Sequence, residues 1–457
     1  MREILTALDG LAPGLSHRAM DSVHGHDDRW NGALDVRSLA AASVGLAAAS
    51  ARELAGANGR SPVEITAALP EIVAAFASVS QLRIGGRTVP GFAPCSGFFR
   101  TADGWLRTHA NYPHHRARLF HALGIDHDDA LEPALARLTS RDAESRIVAE
   151  GGVAARVVSE SEWRREAPSD PGPWLHILAG DLDTSGRHRS PRPDGHPWRP
   201  VHPHVAGVPL PLHGVRVVSL TRVIAGPTAA KFLAALGADV IRVDPPAIPE
   251  LLGQHLDTDL GVRCASRDLY DPTAAADLAA LLGQADVLLS GYRPGSLTAL
   301  GLDAALVGER FPHLVHVELS AWEPTGPRAG TRGFDSIVQA ATGIAHRYGS
   351  TDGTGLWRPG ALPVQALDHA TGYGMAAAAC ALLAAGRSGH ARLSLERTAR
   401  VLLDGGGGAG RSHPSPSTDP RPETVELTTE HGKVTCVPAP VRIDGRRPPV
   451  LPPLPAC

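Results

Sequence analysis

The sequence predicts an α/β protein: a doubly wound parallel sheet in the second half of the chain, joined to a smaller α+β domain in the first. Three observations predict this. From residue 214 onward, short apolar runs alternate with stretches of helical periodicity, the pattern of a sheet covered on both faces. Residues 214 to 244, GVRVVSLTRVIAGPTAAKFLAALGADVIRVD, form one complete strand, loop, helix and strand unit. Between 182 and 213, Pro191, Pro193, Pro197, Pro200, Pro203, Pro209 and Pro211 exclude both regular elements and predict an extended linker.

In chain order, residues 34 to 57 are alanine-rich with helical periodicity, and 61 to 80 repeat the pattern after Ser61-Pro62. Residues 81 to 110 turn to strand-like runs. Gly85-Gly86 marks a turn, and Asp103-Gly104 marks a hairpin between Phe98-Phe99 and Trp105-Leu106. These elements compose the smaller domain, residues 1 to 181. Beyond the linker, strands are expected at 215 to 220, 239 to 243, 286 to 290 and 314 to 319, with helices at 227 to 236, 272 to 283 and 334 to 346. Pro227 suits a first helical turn and Gly237 a C-terminal cap. This larger domain runs from 214 to 404. GGGGAGRSHPSPSTDPRP, 405 to 422, reads as a flexible connection to a closing segment, 423 to 457; no Gly-Lys-Ser/Thr follows its glycines, so it is not a phosphate loop.

Composition narrows the function. Lys plus Arg number 44 and Asp plus Glu 47, a formal net charge of −3, which offers no field for nucleic acid or an anionic membrane. The five cysteines, at 95, 264, 380, 436 and 457, show neither C-x-x-C pairs nor zinc spacing, so thiols in a reducing cytoplasm are expected and no metal site. The N-terminus lacks the apolar core of a signal peptide, and no stretch approaches twenty apolar residues.

Two places carry chemistry. The loop Thr221-Arg222-Val223-Ile224-Ala225-Gly226 presents backbone N–H groups at a helix N-terminus, where the dipole favours a phosphate. It has one glycine where a nicotinamide dinucleotide fingerprint needs three, and by itself it reads equally as a structural turn. Asp368 immediately precedes HATGYGMAAAACALLAA, a helical run ending at Gly386, so its carboxylate lies at or near a helix N-terminus, where the ionised form is favoured by about 0.3 to 1 kcal/mol. Local sequence alone reads it as a helix cap, with Thr371 three residues on.

The phrase LTRVIAGP followed by LGADVIRVD closely resembles the opening motif of the family III CoA-transferases, which include formyl-CoA transferase and the carnitine CoA-transferases, with α-methylacyl-CoA racemase as a relative. Further resemblances follow in order: RDLYDP at 267 to 272, ADVLLSGYRPGSLTALGL at 285 to 302, LVHVELSAW at 314 to 322, TGPRAGTRGFDSIVQAATG at 325 to 343, and LPVQALDHATGYGMAAAACALLAA at 362 to 385. Three more stand in an unusual order. GFFRTADGWLRTHANYPHHRARLFHALG at 97 to 124 and VAARVVSESEW at 153 to 163 resemble the small domain that follows the nucleotide-binding half in most relatives. EHGKVTCVPAPVRIDG at 430 to 445 resembles the family's closing segment, so the segment order resembles that of a permuted member.

The resemblance implies a Rossmann-like CoA-binding domain and a homodimer, interlocked in the family, with an ordinary dimer or a monomer as the alternatives for a permuted chain. It implies that Asp368 is the nucleophile and that CoA enters and leaves as a substrate, with no tightly bound cofactor. The partners it implies are an acyl-CoA and a small carboxylic acid. It assigns Arg222, Val223, Ile224 and Ala225 to the pantetheine and phosphate path, Arg242 to the adenine end, and Tyr292, Arg293 and Pro294 to the loop beside the nucleotide. Arg332 is a further cation for CoA, and Gln365 and His369 are polar neighbours of the nucleophile. Backbone amides around Ala370, Thr371 and Gly372 are candidates for an oxyanion site. The chain departs from the pattern at Ala299 and Val262, where relatives carry cations, and at Phe334, where the racemase branch has a histidine; Asp335 is retained. The activity implied is CoA transfer from an acyl-CoA to an acid. An acyl-CoA racemase or lyase on the same scaffold, or a catalytically weak acyl-CoA-binding protein, are the alternatives.

Overall fold

The computed structural model describes residues 1–60, 62–167, 172–180, 210–406 and 423–455. Most of the proline-rich linker and of the glycine-rich connection lies outside the described residues.

A mixed α/β arrangement is built on an eight-stranded sheet. Its order is Leu454–Pro455, Arg263–Ser266, Asp239–Asp244, Arg216–Leu220, Val287–Ser290, Val315–Ser320, Ser388–Ser394 and His176–Gly180. All neighbours pair in parallel except the last two strands, where His176–Gly180 runs antiparallel at the edge. Successive side chains alternate between two cores. Val217, Val240, Val287 and Val315 face one, with the helices Ala225–Ala235 and Ala366–Ala384; Val218, Ile241, Leu288 and Leu314 face the other, with Pro272–Leu282 and Ala304–Arg310. Burial on both faces explains why these strands read as continuous apolar runs. The order reverses between Arg216–Leu220 and Val287–Ser290, and open α/β sheets take ligands outside the strand ends at such a switch.

The helix Ala225–Ala235 starts two residues before Pro227, and Gly237 takes a positive φ of 99° beyond its end. The expected helix at 334 to 346 is two pieces, Asp335–Ala341 and Ile344–Arg347. They break at Gly343, φ 90°, where a Cβ would stand 2.3 Å from the backbone nitrogen of Glu160. The helical reading of 61 to 80 holds only from Leu69: Ile65–Ala68 is a strand, paired with Val23–His24 and with Arg442–Ile443. Its short alternating pattern is masked in sequence by alanine.

The 34 to 57 reading emerges as one helix, Val36–Ala57, which packs along Ala366–Ala384. Gly45 makes a similar approach to the helix Leu15–Asp21, where a Cβ would sit 2.4 Å from the Ala19 carbonyl. Leu8, Leu39 and Leu46 therefore share the sheet's main core. Leu210 and Leu212 are buried as well, and Leu212 donates its N–H to Leu236 O at 2.8 Å, so the last residues of the expected linker belong to the packed structure. A separate apolar cluster holds the strands Phe98–Arg100, Trp105–Thr108 and Ala154–Arg156 against the helices Pro113–Leu123 and Ser140–Ala149. The chain's two ends meet: Gly432–Cys436 pairs with Arg83–Ile84, as Arg442–Ile443 does with Ile65–Ala68.

Candidate active site

Asp368 occupies the first turn of Ala366–Ala384, three residues past the true cap position at Gln365. It is not the cap. That role falls to Asp335, whose Oδ2 accepts the N–H groups of Leu367 (2.9 Å) and Asp368 (3.1 Å), while Oδ1 accepts from the Gln339 side chain. Gln339 is fixed in turn by the Leu362 N–H, 2.8 Å from its Oε1. Asp335 begins the helix Asp335–Ala341 yet caps the neighbouring one. Thr371 does not complete a capping box, since its hydroxyl donates to Leu367 O at 2.7 Å.

This arrangement sets two buried carboxyls side by side. Asp368 is 7% exposed and Asp335 2%. Burial raises both, pushing Asp335 up to about 6, and the neighbouring Asp335 charge lifts Asp368 further above the ordinary range. The helix terminus that sequence reasoning credited with favouring the ionised form is outweighed by loss of water and by a like charge. No described residue donates a hydrogen bond to the Asp368 carboxylate, which borders a narrow pocket of about 30 Å³. Gln365, Val223, Ile224, Phe334 and His109 also line it. His369 turns elsewhere: its ring lies 5.0 Å from that of Phe76, with Nδ1 3.3 Å from the Thr228 hydroxyl. Ala370, Thr371 and Gly372 lie beyond the first helical turn, where the N–H groups belong to the helix's own ladder, so these amides are poorly placed for an oxyanion.

The loop after Arg216–Leu220 runs beside this pocket. Val223 has φ 71°, a left-handed conformation costly for a β-branched residue. Its N–H donates at 3.0 Å to Glu250, which also accepts from Arg242 at 3.0 Å and from the Tyr112 hydroxyl, and lies 3.6 Å from the Arg222 guanidinium. A carboxylate of the chain itself thus holds the position where an anion was expected. Arg222 stacks over the Tyr112 ring at 5.1 Å and donates to Pro249 O.

Arg242 corrects the sequence reading. Rather than reaching toward an adenine, its side chain is completely buried, bonded to both oxygens of Asp259 (2.9 and 2.8 Å) and paired with Asp244 and Glu250. Burial works against its charge, but the three carboxylates outweigh that and hold it well above its ordinary range. His255, Asp259 and Cys264 bring potential metal-ligand atoms within 4.8 Å of one another. Asp259, though, already serves Arg242, whose charge would oppose a cation there.

Tyr292 is half-buried in the same region, and Arg293 is exposed on the loop that follows Val287–Ser290. Arg332 donates to Gly151 O at 3.2 Å. Arg118, which sequence reasoning passed over, comes to the same place: a Cβ on Gly151 would meet guanidinium nitrogens of both Arg118 (2.2 Å) and Arg332 (3.1 Å). His114 is lowered first by burial and then by Arg222, Arg118 and Arg332. No ion pair to Arg118, Arg293 or Arg332 is found among the described residues. Sequence reasoning also passed over Glu250, His109 and Asn111; the only signal was the HANYP stretch that begins with His109. Asn111 holds the turn at Gly91 to Ala93 over the pocket, accepting from the Ala93 N–H at 2.9 Å.

The mostly parallel sheet, its switch-point loop and a buried carboxylate at a helix start define an α/β protein with a candidate site at the switch point. Residues 212–395 match the sequence profile of CoA-transferase family III. Two curated relatives are a succinate–glutarate CoA-transferase of Agrobacterium fabrum, 34% identical over 199 residues, and a human succinyl-CoA:glutarate CoA-transferase, 32% identical over 174. The first match covers 39% of this chain and 49% of the relative; the second covers 35% and 39%. The chain thus spans about half the length of the curated relatives it matches, or less. A crystal structure of Rv3272 from M. tuberculosis is 30% identical, with a TM-score of 0.39, over 43% of this chain and 58% of that one.

Proposed function

We propose that this protein is a CoA-transferase in which Asp368 carries the acyl group and then CoA. The observation that carries the reading is a buried carboxylate that accepts no hydrogen bond from a described residue, at a pocket beside the switch-point loop of a family III segment. An ionised Asp368 oxygen attacks the thioester carbonyl; the C–S bond breaks and CoA leaves as the thiolate, giving an aspartyl-acyl anhydride. The thiolate then attacks the aspartyl carbonyl, releasing the acid and leaving an aspartyl-CoA thioester. An acceptor carboxylate attacks that thioester to form a second anhydride, and the thiolate, attacking its acyl carbonyl, yields the new acyl-CoA and frees Asp368. Each addition places charge on an oxygen. With the amides of Ala370 to Gly372 engaged in the helix, the Gln365 side chain at the pocket is the better donor.

In this reading the sheet is a Rossmann-like CoA-binding domain. Ile224 and Ala225 line the pantetheine path with Arg222 and Val223, and Tyr292 flanks the nucleotide. Arg293, Arg332 and Arg118 meet the phosphates, in place of the cations missing at Ala299 and Val262. The segment order is that of a permuted member, the assembly a homodimer and the location cytoplasmic, with CoA as substrate and no tightly bound cofactor. Racemisation is less well supported. His109 stacks on Phe334 at 3.8 Å and reaches the pocket, but burial, with Arg107 nearby, depresses it to about 3, far from the value an acid–base partner needs near neutrality.

The test is intact-mass spectrometry of wild type and Asp368→Ala after incubation with a panel of acyl-CoAs, with hydroxylamine trapping. A CoA-sized adduct or hydroxamate on wild type alone is the expected result. Its absence with every donor, despite measurable CoA binding, would sink the covalent route.

A further inference from the structure

Arg107 has no place in the chemistry above, and its surroundings are unusual. It lies on the strand Trp105–Thr108, every residue of which is buried, and is itself only 7% exposed. Among the described residues no carboxylate pairs with its guanidinium and no acceptor bonds it; its Nε is buried without a partner. It is bracketed by aromatic faces instead, over Phe92 at 4.7 Å and over Phe98 at 5.0 Å. Aromatic faces attract a cation but leave its N–H groups unsatisfied. A buried guanidinium is otherwise bonded to carboxylates, as Arg242 is in this same molecule.

Its position relates it to the nucleophile. Side chains two residues apart on a strand share a face, and the extended backbone continues to His109, whose N–H donates to Val153 O at 3.0 Å. His109 and Phe92 both line the pocket that Asp368 borders. Burial lowers Arg107 to about 10, and the charge that opposes this is Asp335, the partner of Asp368. Asp335 is already committed to three N–H donors, so it leaves the guanidinium free.

We propose that Arg107 receives the second carboxylate of a dicarboxylic acid whose first carboxylate reacts at Asp368. The inference rests on the CoA-transfer reading and specifies its substrate class. A planar guanidinium forks onto a carboxylate through two parallel N–H bonds, and the Phe92 and Phe98 rings would hold it in that plane. An acid with an uncharged chain would leave Arg107 as unsatisfied as it stands, so the site discriminates by what is left unpaired.

Calorimetric titration of the full chain, in the presence of CoA, with glutarate and with butyrate tests this in wild type, Arg107→Leu and Arg107→Lys. Wild type is expected to bind glutarate at least about ten-fold more tightly than butyrate, Arg107→Leu to lose that preference while keeping butyrate affinity, and Arg107→Lys to keep part of it. Equal binding of the two acids by wild type, undetectable glutarate binding, or a preference that survives in Arg107→Leu would each overturn the proposal. Should Arg107→Leu fail to fold, Arg107→Lys decides: an unaltered preference there, with no loss of glutarate affinity, counts against a bidentate contact. Transfer assays with butyryl-CoA and glutaryl-CoA separate the two readings. Turnover without a dicarboxylate preference removes this proposal alone, and an Arg107-dependent preference without turnover removes the transfer reading alone.

Discussion

At the scale of single residues, the site is governed by two carboxyls that resist being charged together. Asp335 fixes the start of the Ala366–Ala384 helix and raises Asp368 in doing so. The proposed nucleophile, Asp368, must be ionised, so adduct formation is expected to grow as pH rises through the titration of the pair. Asp335→Asn removes the like charge and keeps an oxygen for the two N–H groups. The half-maximum of adduct formation, measured by trapping across pH 5 to 8, should move to lower pH; a profile that stays in place would mean Asp335 acts only as a cap. Glu250 poses a second question at this scale, because it occupies the Val223 N–H and faces Arg222 and Arg242. On the proposed CoA path it competes with the ligand's phosphates. Removing one unit charge about 4 Å from a phosphate is worth about 1 kcal/mol at high dielectric, or about five-fold in affinity. Glu250→Gln should therefore tighten CoA binding by about that factor in calorimetry.

At the scale of elements, small residues bring helices close enough to fix the place of Asp368. A Cβ on Gly372 would stand 2.2 Å from the Ala225 carbonyl, so Ala225–Ala235 and Ala366–Ala384 touch through a missing side chain. Gly372→Ala gains up to about 1 kcal/mol of helix propensity, against about 1 to 3 kcal/mol for forcing packed helices apart. The clash is with backbone, which cannot swing away, so the net change should be destabilising. A lower urea midpoint, together with reduced trapping at Asp368 one turn away, is the expected outcome. A polar chain pins the other side of the helix: the Trp174 indole N–H donates to Thr398 at 2.9 Å, and Thr398 meets the Thr371 hydroxyl at 2.7 Å. Trp174→Phe should cost about 1 to 3 kcal/mol in chemical unfolding, the desolvation penalty of a buried hydroxyl left short of a partner.

Across the whole molecule, the packing buries histidines in their neutral form. Burial depresses His109 and His369 to about 3, His316 to about 4 and His115 to about 2. A group whose folded value lies below its unfolded value of about 6.5 binds more protons when unfolded, so acid favours unfolding; each of the four loses about 2 kcal/mol of stabilisation between pH 7 and 5. Asp335, raised to about 6, has the opposite sign and gains stability as pH falls through that value. Asp368, raised as well, shares that sign, and the two carboxyls together offset only part of the four histidines. The melting temperature should therefore fall steadily from pH 7 to 5, and a flat profile would contradict neutral burial.

The alternating strands and helices after residue 214 were legible in the sequence because burial on both faces leaves an unbroken apolar run in each strand. Asp368 was legible as a residue by its position before a long alanine-rich helix, and the resemblance added the role proposed for it. Sequence could not show that Asp335 caps that helix from 33 positions away, that Glu250 fills the loop, or that Arg242 is consumed by three carboxylates. Nor could it show Val36–Ala57 packed against Ala366–Ala384, or strands near both chain ends paired together. Periodicity reports which face of an element is buried, a local consequence of hydrophobicity. Which distant carboxylate meets which cation or N–H group, and how far burial shifts its proton, is decided only when the elements pack.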